Sequence, residues 1–151
     1  MTKITPMDHK IIKLFLRLAI ALGFLSAVAD RFGYWGPENS TWGTWDNFLG
    51  YTQMINPWFP DALIPAIGTL ATVAEVLFAL GLILGIKTEF FAKLSGWLLL
   101  IFALSMTFST GLKGALDYAV YTAAAAAFAL GTMEEKYLEL DQLFPGTGKG
   151  S

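Results

Sequence analysis

Two charged side chains interrupt long apolar runs of this chain and are the first candidates for chemistry. Glu75 lies near the middle of the run from Ala62 to Ile86, and Arg17 lies inside the first apolar run. A carboxylate in the middle of an apolar helix is costly unless it is paired or faces other polar groups. Arg17 is the cation that can reach it, so we predict a contact between Glu75 and Arg17, direct or through water. Such a contact would form a site for protons or a quinone headgroup, or else a polar clamp between helices.

A second polar set stands near the ends of the apolar runs, at Asp30, Arg31, Asp117 and Tyr121. Asp117 and Tyr121 are four residues apart, which places them on one face of a helix. We expect this set either to bind a polar substrate or headgroup, or to form ordinary charge pairs at a membrane interface.

Several kinds of chemistry are excluded by residue type. The chain has no cysteine, so it has no thiolate nucleophile, disulfide or iron–sulfur ligand. Its single histidine, His9, cannot make a multi-histidine haem or metal site. We therefore expect neither a metal nor a covalently bound cofactor. The net charge of -2 gives no basic patch for nucleic acid.

The elements that position these residues are predicted to be membrane-spanning helices. Only 15% of the residues are charged, against about 25% in a soluble domain, and the apolar residues form long runs. A span needs about 20 mainly apolar residues, which places four spans at about 11–29, 62–86, 94–109 and 116–133. The short links after the second and third spans favour antiparallel neighbours. The predicted fold is all-α: one domain, residues 1–144, forming an integral membrane four-helix up-down bundle.

Small residues repeat at four-residue spacing in the spans, for example Ala19, Gly23 and Ala27. Such ridges allow close helix packing, either within the chain or in a homo-oligomer. Seven Lys and Arg residues flank one side of the spans and two flank the other. This bias predicts that both termini are cytoplasmic. A cleaved signal peptide is the alternative interpretation of the first span.

The segment 30–61 between the first two spans is predicted to lie on the outer side. It contains nine aromatic residues. A helix capped by Ser40 or Thr41 would bring Trp42, Trp45 and Phe48 to roughly helical spacing. We expect an amphipathic helix in the membrane interface, serving as a lid, as a docking face for a partner, or as an anchor without a ligand. Residues 134–144 are predicted to form a short surface helix, and residues 145–151 a disordered tail.

With these residues placed, residues 16–129 resemble the DoxX-like family of small four-helix membrane proteins. The first span carries Arg17, an apolar run with small residues, and then Asp30-Arg31-Phe32. The second span carries Ala74-Glu75-Val76, a glycine-containing apolar stretch, and a basic turn at Lys87. The chain departs from the family at Ala29-Asp30-Arg31, where members often have glycine followed by lysine.

The family is similar to the small subunit of archaeal thiosulfate:quinone oxidoreductase. The resemblance implies an accessory or small subunit of a quinone-linked redox or respiratory complex in the inner or plasma membrane. A quinone is then the candidate cofactor, and redox-complex subunits are the candidate partners. The alternative is a scaffold or assembly protein that docks a partner through its aromatic segment. A small proton-coupled transporter is a weaker alternative, because four helices without an evident inverted repeat suit transport poorly.

Overall fold

The computed structural model describes residues 6–144, and all regular secondary structure within them is helical. Six α-helices and two single 3-10 turns follow one another along the chain. They are α1 (Pro6–Arg31), α2 (Trp45–Ile55), a turn at Asp61–Leu63, α3 (Ile64–Leu84), α4 (Thr88–Thr110), α5 (Leu112–Asp117), α6 (Val120–Leu130) and a turn at Leu140–Gln142. The tail predicted for residues 145–151 lies outside the described residues.

Within residues 6–144, three helical stretches are long and apolar enough to cross a membrane, namely Met7–Arg31, Asp61–Leu84 and Thr88–Thr110. The shortest has 23 residues, which at 1.5 Å per residue is about 35 Å, slightly more than the hydrocarbon core of a bilayer. Large apolar side chains such as Phe15, Leu70 and Phe108 are about 70% exposed. Exposed apolar surface on all three helices is what contact with lipid requires.

The fourth predicted span is not one helix. α5 ends at Asp117, Ala119 adopts a left-handed conformation with φ of 54°, and α6 begins at Val120. The prediction of a continuous helix over 116–133 is therefore wrong. No glycine or proline marks the break in the sequence. Both parts pack on α4, but their other neighbours differ: Ala115 of α5 packs with Ile55 of α2, whereas α6 packs on α1.

The main core lies between α1, α3, α4 and α6. α1 packs on α3, α3 on α4, α4 on α6, and α6 on α1. Its fully or nearly buried apolar side chains are Ile20, Ala21, Phe24, Ala79, Leu82, Ala92, Ala127 and Leu130. Gly96 allows Phe128 to approach closely, since a Cβ there would lie 2.8 Å from the phenyl ring. The four-helix up-down bundle across a membrane stays a prediction.

The small-residue ridge of α1 does not make the intramolecular contact expected of it. Ala19 and Gly23 are exposed, and a Cβ added at Gly23 would meet no atom within 4 Å. The buried face of α1 is instead the one that carries Ile20, Ala21 and Phe24. Self-association through the ridge stays a prediction.

The segment 30–61 forms part of the packed structure. α2 buries Phe48, Thr52 and Ile55 and packs against α3 and α4. Its cap is Thr44, whose side chain accepts a hydrogen bond from the Asn47 backbone N–H, so the predicted caps at Ser40 or Thr41 are wrong. α1 ends at Arg31, whose side-chain partners lie midway along α3, and α2 covers the first half of α3. We call this end of the molecule the aromatic end.

Candidate functional site: a buried arginine–glutamate pair

Glu75 is paired with Arg31 at the aromatic end. Arg31 Nη2 donates to Glu75 Oε1 at 2.9 Å, and Nη1 lies 2.5 Å from Oε2. Both residues are only 2% exposed. Arg31 Nη1 also donates to Thr72 Oγ1 at 2.6 Å, and the Thr72 hydroxyl donates to the Gly68 carbonyl at 2.8 Å. The pair thus combines one charge-assisted hydrogen bond with a second close contact between the opposite charges.

Aromatic rings from the segment 30–61 close the pair from the other side. The Arg31 guanidinium carbon lies 3.9 Å from the centre of the Phe48 ring and 5.5 Å from that of Trp42. A cation over an aromatic face is attracted by the ring quadrupole. Arg31 therefore ties together three elements: its own helix α1, the carboxylate of α3 and the rings at Trp42 and in α2.

Two donors in this cluster lack an acceptor, namely Arg31 Nε and Trp42 Nε1. Arg31 Nε is buried and makes no hydrogen bond, although both other nitrogens of the guanidinium are bonded. Buried donors are almost always satisfied, so an orphan donor is a place where a bound acceptor would be accommodated. An open groove of about 370 Å³, which Arg31 itself does not line, runs along α1 between Gly23 and Asp30. Trp42 lines this groove and also covers Arg31.

Arg17 does not contact Glu75, and the predicted pair is wrong. Its Nε donates to the Leu82 carbonyl at 2.8 Å, and its two terminal nitrogens donate to the carbonyls of Ile83, Tyr137 and Leu138 at 2.8 to 3.1 Å. These contacts use all five guanidinium N–H groups, leaving none for a water bridge to Glu75. The sequence could not reveal this, because two of the carbonyls belong to residues 120 or more positions away.

Residues 134–144 supply those carbonyls as a strap rather than as the predicted surface helix. The only regular structure in the strap is the single turn at Leu140–Gln142, and Leu138 has a φ of 48°. The strap is also held by charge: Lys13 Nζ lies 2.8 Å from Glu139 Oε1, and both side chains are fully buried. We call this end, where α1 begins and α3 ends, the charged end. Sequence reasoning missed Lys13 and Glu139 as a pair.

The predicted outer-face set of Asp30, Arg31, Asp117 and Tyr121 is not one site. Asp30 accepts hydrogen bonds from Ser40 Oγ and from the backbone N–H groups of Thr41 and Trp42, at 3.0 and 2.8 Å for the latter two.

Asp117 forms an exposed ion pair with Lys113, and Tyr121 shares a 2.9 Å hydrogen bond with Thr107. The expectation that Asp117 and Tyr121 share a helix face is wrong, because the break at Ala119 separates them.

The three aromatic residues predicted to dock a partner pack mainly against each other. Trp42 and Trp45 each contact Phe48 at ring-centre distances of 5.4 and 5.3 Å, and Phe48 is 5% exposed. Phe48 therefore has almost no surface to offer a partner. The aromatic side chains of the segment that are at least 46% exposed are Phe32, Tyr34, Trp35 and Trp58.

Within residues 6–144, no group of three or more His, Asp or Glu side chains could hold a metal ion. Comparison with known proteins finds no family model that matches the chain, no similar curated protein and no similar solved structure.

Proposed function

We propose that the chain is an integral membrane protein that acts as a non-catalytic accessory or small subunit of a quinone-linked redox complex. Three long apolar helices support the membrane location. The resemblance to the DoxX-like family supports the redox setting. Arg31 and Glu75, which are buried between α1 and α3, bind each other, as expected of a subunit that positions a ligand or a partner.

The orphan donor at Arg31 is the observation that carries a quinone role. A quinone headgroup is planar and presents carbonyl oxygens, which are hydrogen-bond acceptors. A quinone carbonyl reaching Arg31 Nε would satisfy the buried donor, and the ring would stack beside Trp42. The site of the proposal is thus Arg31, Glu75 and Trp42. Arg17, the cation predicted to pair with Glu75, is not part of this site.

Quinone analysis of the protein purified gently from its own membrane tests this role. We expect a lipid-soluble quinone to accompany the wild type and to be reduced at least tenfold in Trp42→Ala, which leaves the Arg31–Glu75 pair in place. The control is Trp97→Ala, because Trp97 is 58% exposed on α4 and touches neither residue of the pair. A wild-type chain that carries phospholipid but no quinone would refute the quinone role.

The proposed orientation places the charged end in the cytoplasm and the aromatic end outside. The lack of native cysteine allows single Lys10→Cys and Lys113→Cys variants to be labelled without background. In sealed cells, a membrane-impermeant maleimide should label the variant at 113 and spare the variant at 10. The reverse labelling pattern would invert the orientation, and labelling of both would contradict insertion across the membrane.

A scaffold role is the second candidate, favoured by the exposed aromatics Tyr34 and Trp35 in a loop that Asp30 fixes. Trp35 is also held in place by its Nε1 donating to the Ser26 carbonyl at 3.1 Å. A scaffold predicts that Tyr34→Ser weakens retention of a partner subunit while quinone content is unchanged. Equal partner retention in wild type and Tyr34→Ser would count against it.

A further inference from the structure

A second groove, at the charged end, is lined mainly by charged side chains. It encloses about 450 Å³ and is lined by Lys87, Glu89, Phe90, Lys93 and Asp141. It lies where α4 begins, so it is formed by the turn between α3 and α4, the first turns of α4 and the strap.

The two acidic groups of the groove already have partners. Glu89 lies 3.2 Å from Lys136 Nζ and 3.4 Å from Lys13 Nζ. Asp141 accepts a 2.7 Å hydrogen bond from the Lys87 backbone N–H and lies 3.6 Å from Lys136 Nζ. Both carboxylates are thus engaged by cations that do not line the groove, and these two lysines also contact Glu139.

The two lysines that line the groove, Lys87 and Lys93, form no ion pair with a described carboxylate. Among residues 6–144, no carboxylate lies within 4.0 Å of the Nζ atoms of Lys87 or Lys93. The stem of Lys93 lies against Gly131, where a Cβ would come 2.8 Å from Lys93 Cγ, so the lysine is held beside the groove. The groove therefore has two unbalanced positive charges on its rim.

Apolar surface adjoins these charges. Phe90 is 55% exposed and lines the groove, and Ile86, in the turn before α4, is 37% exposed. Cations beside exposed apolar side chains, at the end of long apolar helices, match a ligand that has an anionic head and apolar chains. Anionic phospholipids have this chemistry and line cytoplasmic membrane surfaces.

We propose that this groove binds the headgroup of one anionic phospholipid, with the phosphate between the Lys87 and Lys93 ammonium groups and an acyl chain along Phe90. The inference rests on the proposed insertion in a membrane but not on the quinone role. Two lysines near a charged membrane surface strengthen the binding of an anionic headgroup by about 30-fold.

The test is native mass spectrometry of the detergent-purified full chain titrated with phosphatidylglycerol or with phosphatidylcholine. We expect the wild type to bind the first phosphatidylglycerol at least tenfold more tightly than phosphatidylcholine. Lys87→Gln with Lys93→Gln should abolish this preference. The matched control is Lys113→Gln, which removes a lysine at the other end of the molecule.

Retention of the preference in the double variant would overturn the site, as would its loss in Lys113→Gln. Equal binding of both lipids by the wild type would also overturn it. An arm with inorganic phosphate as competitor separates lipid from free phosphate: displacement of the lipid at millimolar phosphate would refute the lipid as occupant. Alkaline extraction of membranes distinguishes failure of this site from failure of insertion. A chain inserted in the membrane resists extraction whether or not its lysines are replaced.

Discussion

Removing one partner of the Arg31–Glu75 pair should destabilise the fold far more than removing both. Glu75→Leu leaves a buried guanidinium with Thr72 as its only hydrogen-bond acceptor, because both carboxylate contacts are lost. Breaking a buried pair by deleting one member costs about 3 to 5 kcal/mol, and a lone arginine at the centre of a membrane helix costs about 3 kcal/mol. Replacing both charges with apolar residues is often nearly neutral.

The assay is a double-mutant cycle of unfolding free energies in detergent micelles, followed by helical circular dichroism. We expect Glu75→Leu to lose about 3 kcal/mol and Arg31→Met with Glu75→Leu to recover most of that loss. The control cycle is Lys113→Met with Asp117→Leu, an exposed pair whose side chains are 87% and 58% accessible. Exposed pairs contribute little, so this cycle should show almost no coupling.

A Glu75→Leu variant as stable as the wild type would refute the reasoning. It would mean that Arg31 finds another acceptor or moves to solvent. A double variant as unstable as the single one would show instead that the helix packing, rather than the charge left unpaired, sets the cost.

Three further perturbations test other parts of the structure. Gly85→Ala should lower the unfolding free energy by more than about 1 kcal/mol, because φ is 68° and the new Cβ would lie 2.5 Å from the Glu139 Cα. Trypsin should then cut the strap faster. The control is Gly50→Ala, which has open space in α2 and should raise the unfolding free energy by about 1 kcal/mol. Asp30→Asn weakens the charge-assisted hydrogen bonds that hold the loop and should lower the unfolding free energy by about 2 kcal/mol; an unchanged thermal midpoint would contradict this. Burial acts to lower the pKa of Lys136, but hydrogen bonding and attraction from nearby carboxylates raise it above 10.5. The raised pKa stabilises the folded chain at pH values below 10.5, and the contribution is lost as the pH rises past the folded-state pKa; an alkaline titration of the unfolding midpoint should show this loss in the wild type and not in Lys136→Gln.

The long apolar helices could be predicted because their signal is local. Runs of apolar residues predict the other ends of α1, α3 and α4 to within two residues, but α1 begins five residues before the predicted 11 and α4 six residues before the predicted 94. The partner of Glu75 was not predictable in this way. Arg31 was assigned to an interface from its place at the end of a run, but its guanidinium reaches Thr72 and Glu75 near the middle of α3, a contact that depends on packing. Two arginines, Arg17 and Arg31, lie in one helix, and only the tertiary fold decides between them.

The strap and the break at Ala119 escaped prediction for different reasons. The strap has charges that alternate with apolar residues, which indicates a surface helix. The Tyr137 and Leu138 carbonyls instead accept hydrogen bonds from Arg17, and Leu138 adopts a left-handed conformation. The break occurs in an alanine-rich stretch, where helix propensity is highest. Local preference pointed to a helix, and the different neighbours of α5 and α6 overrode it.

In the proposed membrane orientation, the break would also set the thickness of bilayer that the chain can occupy. α6 has 11 residues and is about 16 Å long, roughly half of a typical hydrocarbon core. The backbone N–H groups at its start follow a left-handed residue and cannot be left in hydrocarbon without acceptors. In the proposed orientation, headgroups and water must therefore descend toward Val120 on this flank, while α1, α3 and α4 span the full thickness. The chain would sit in a membrane that is thinner on one side of the protein than on the other.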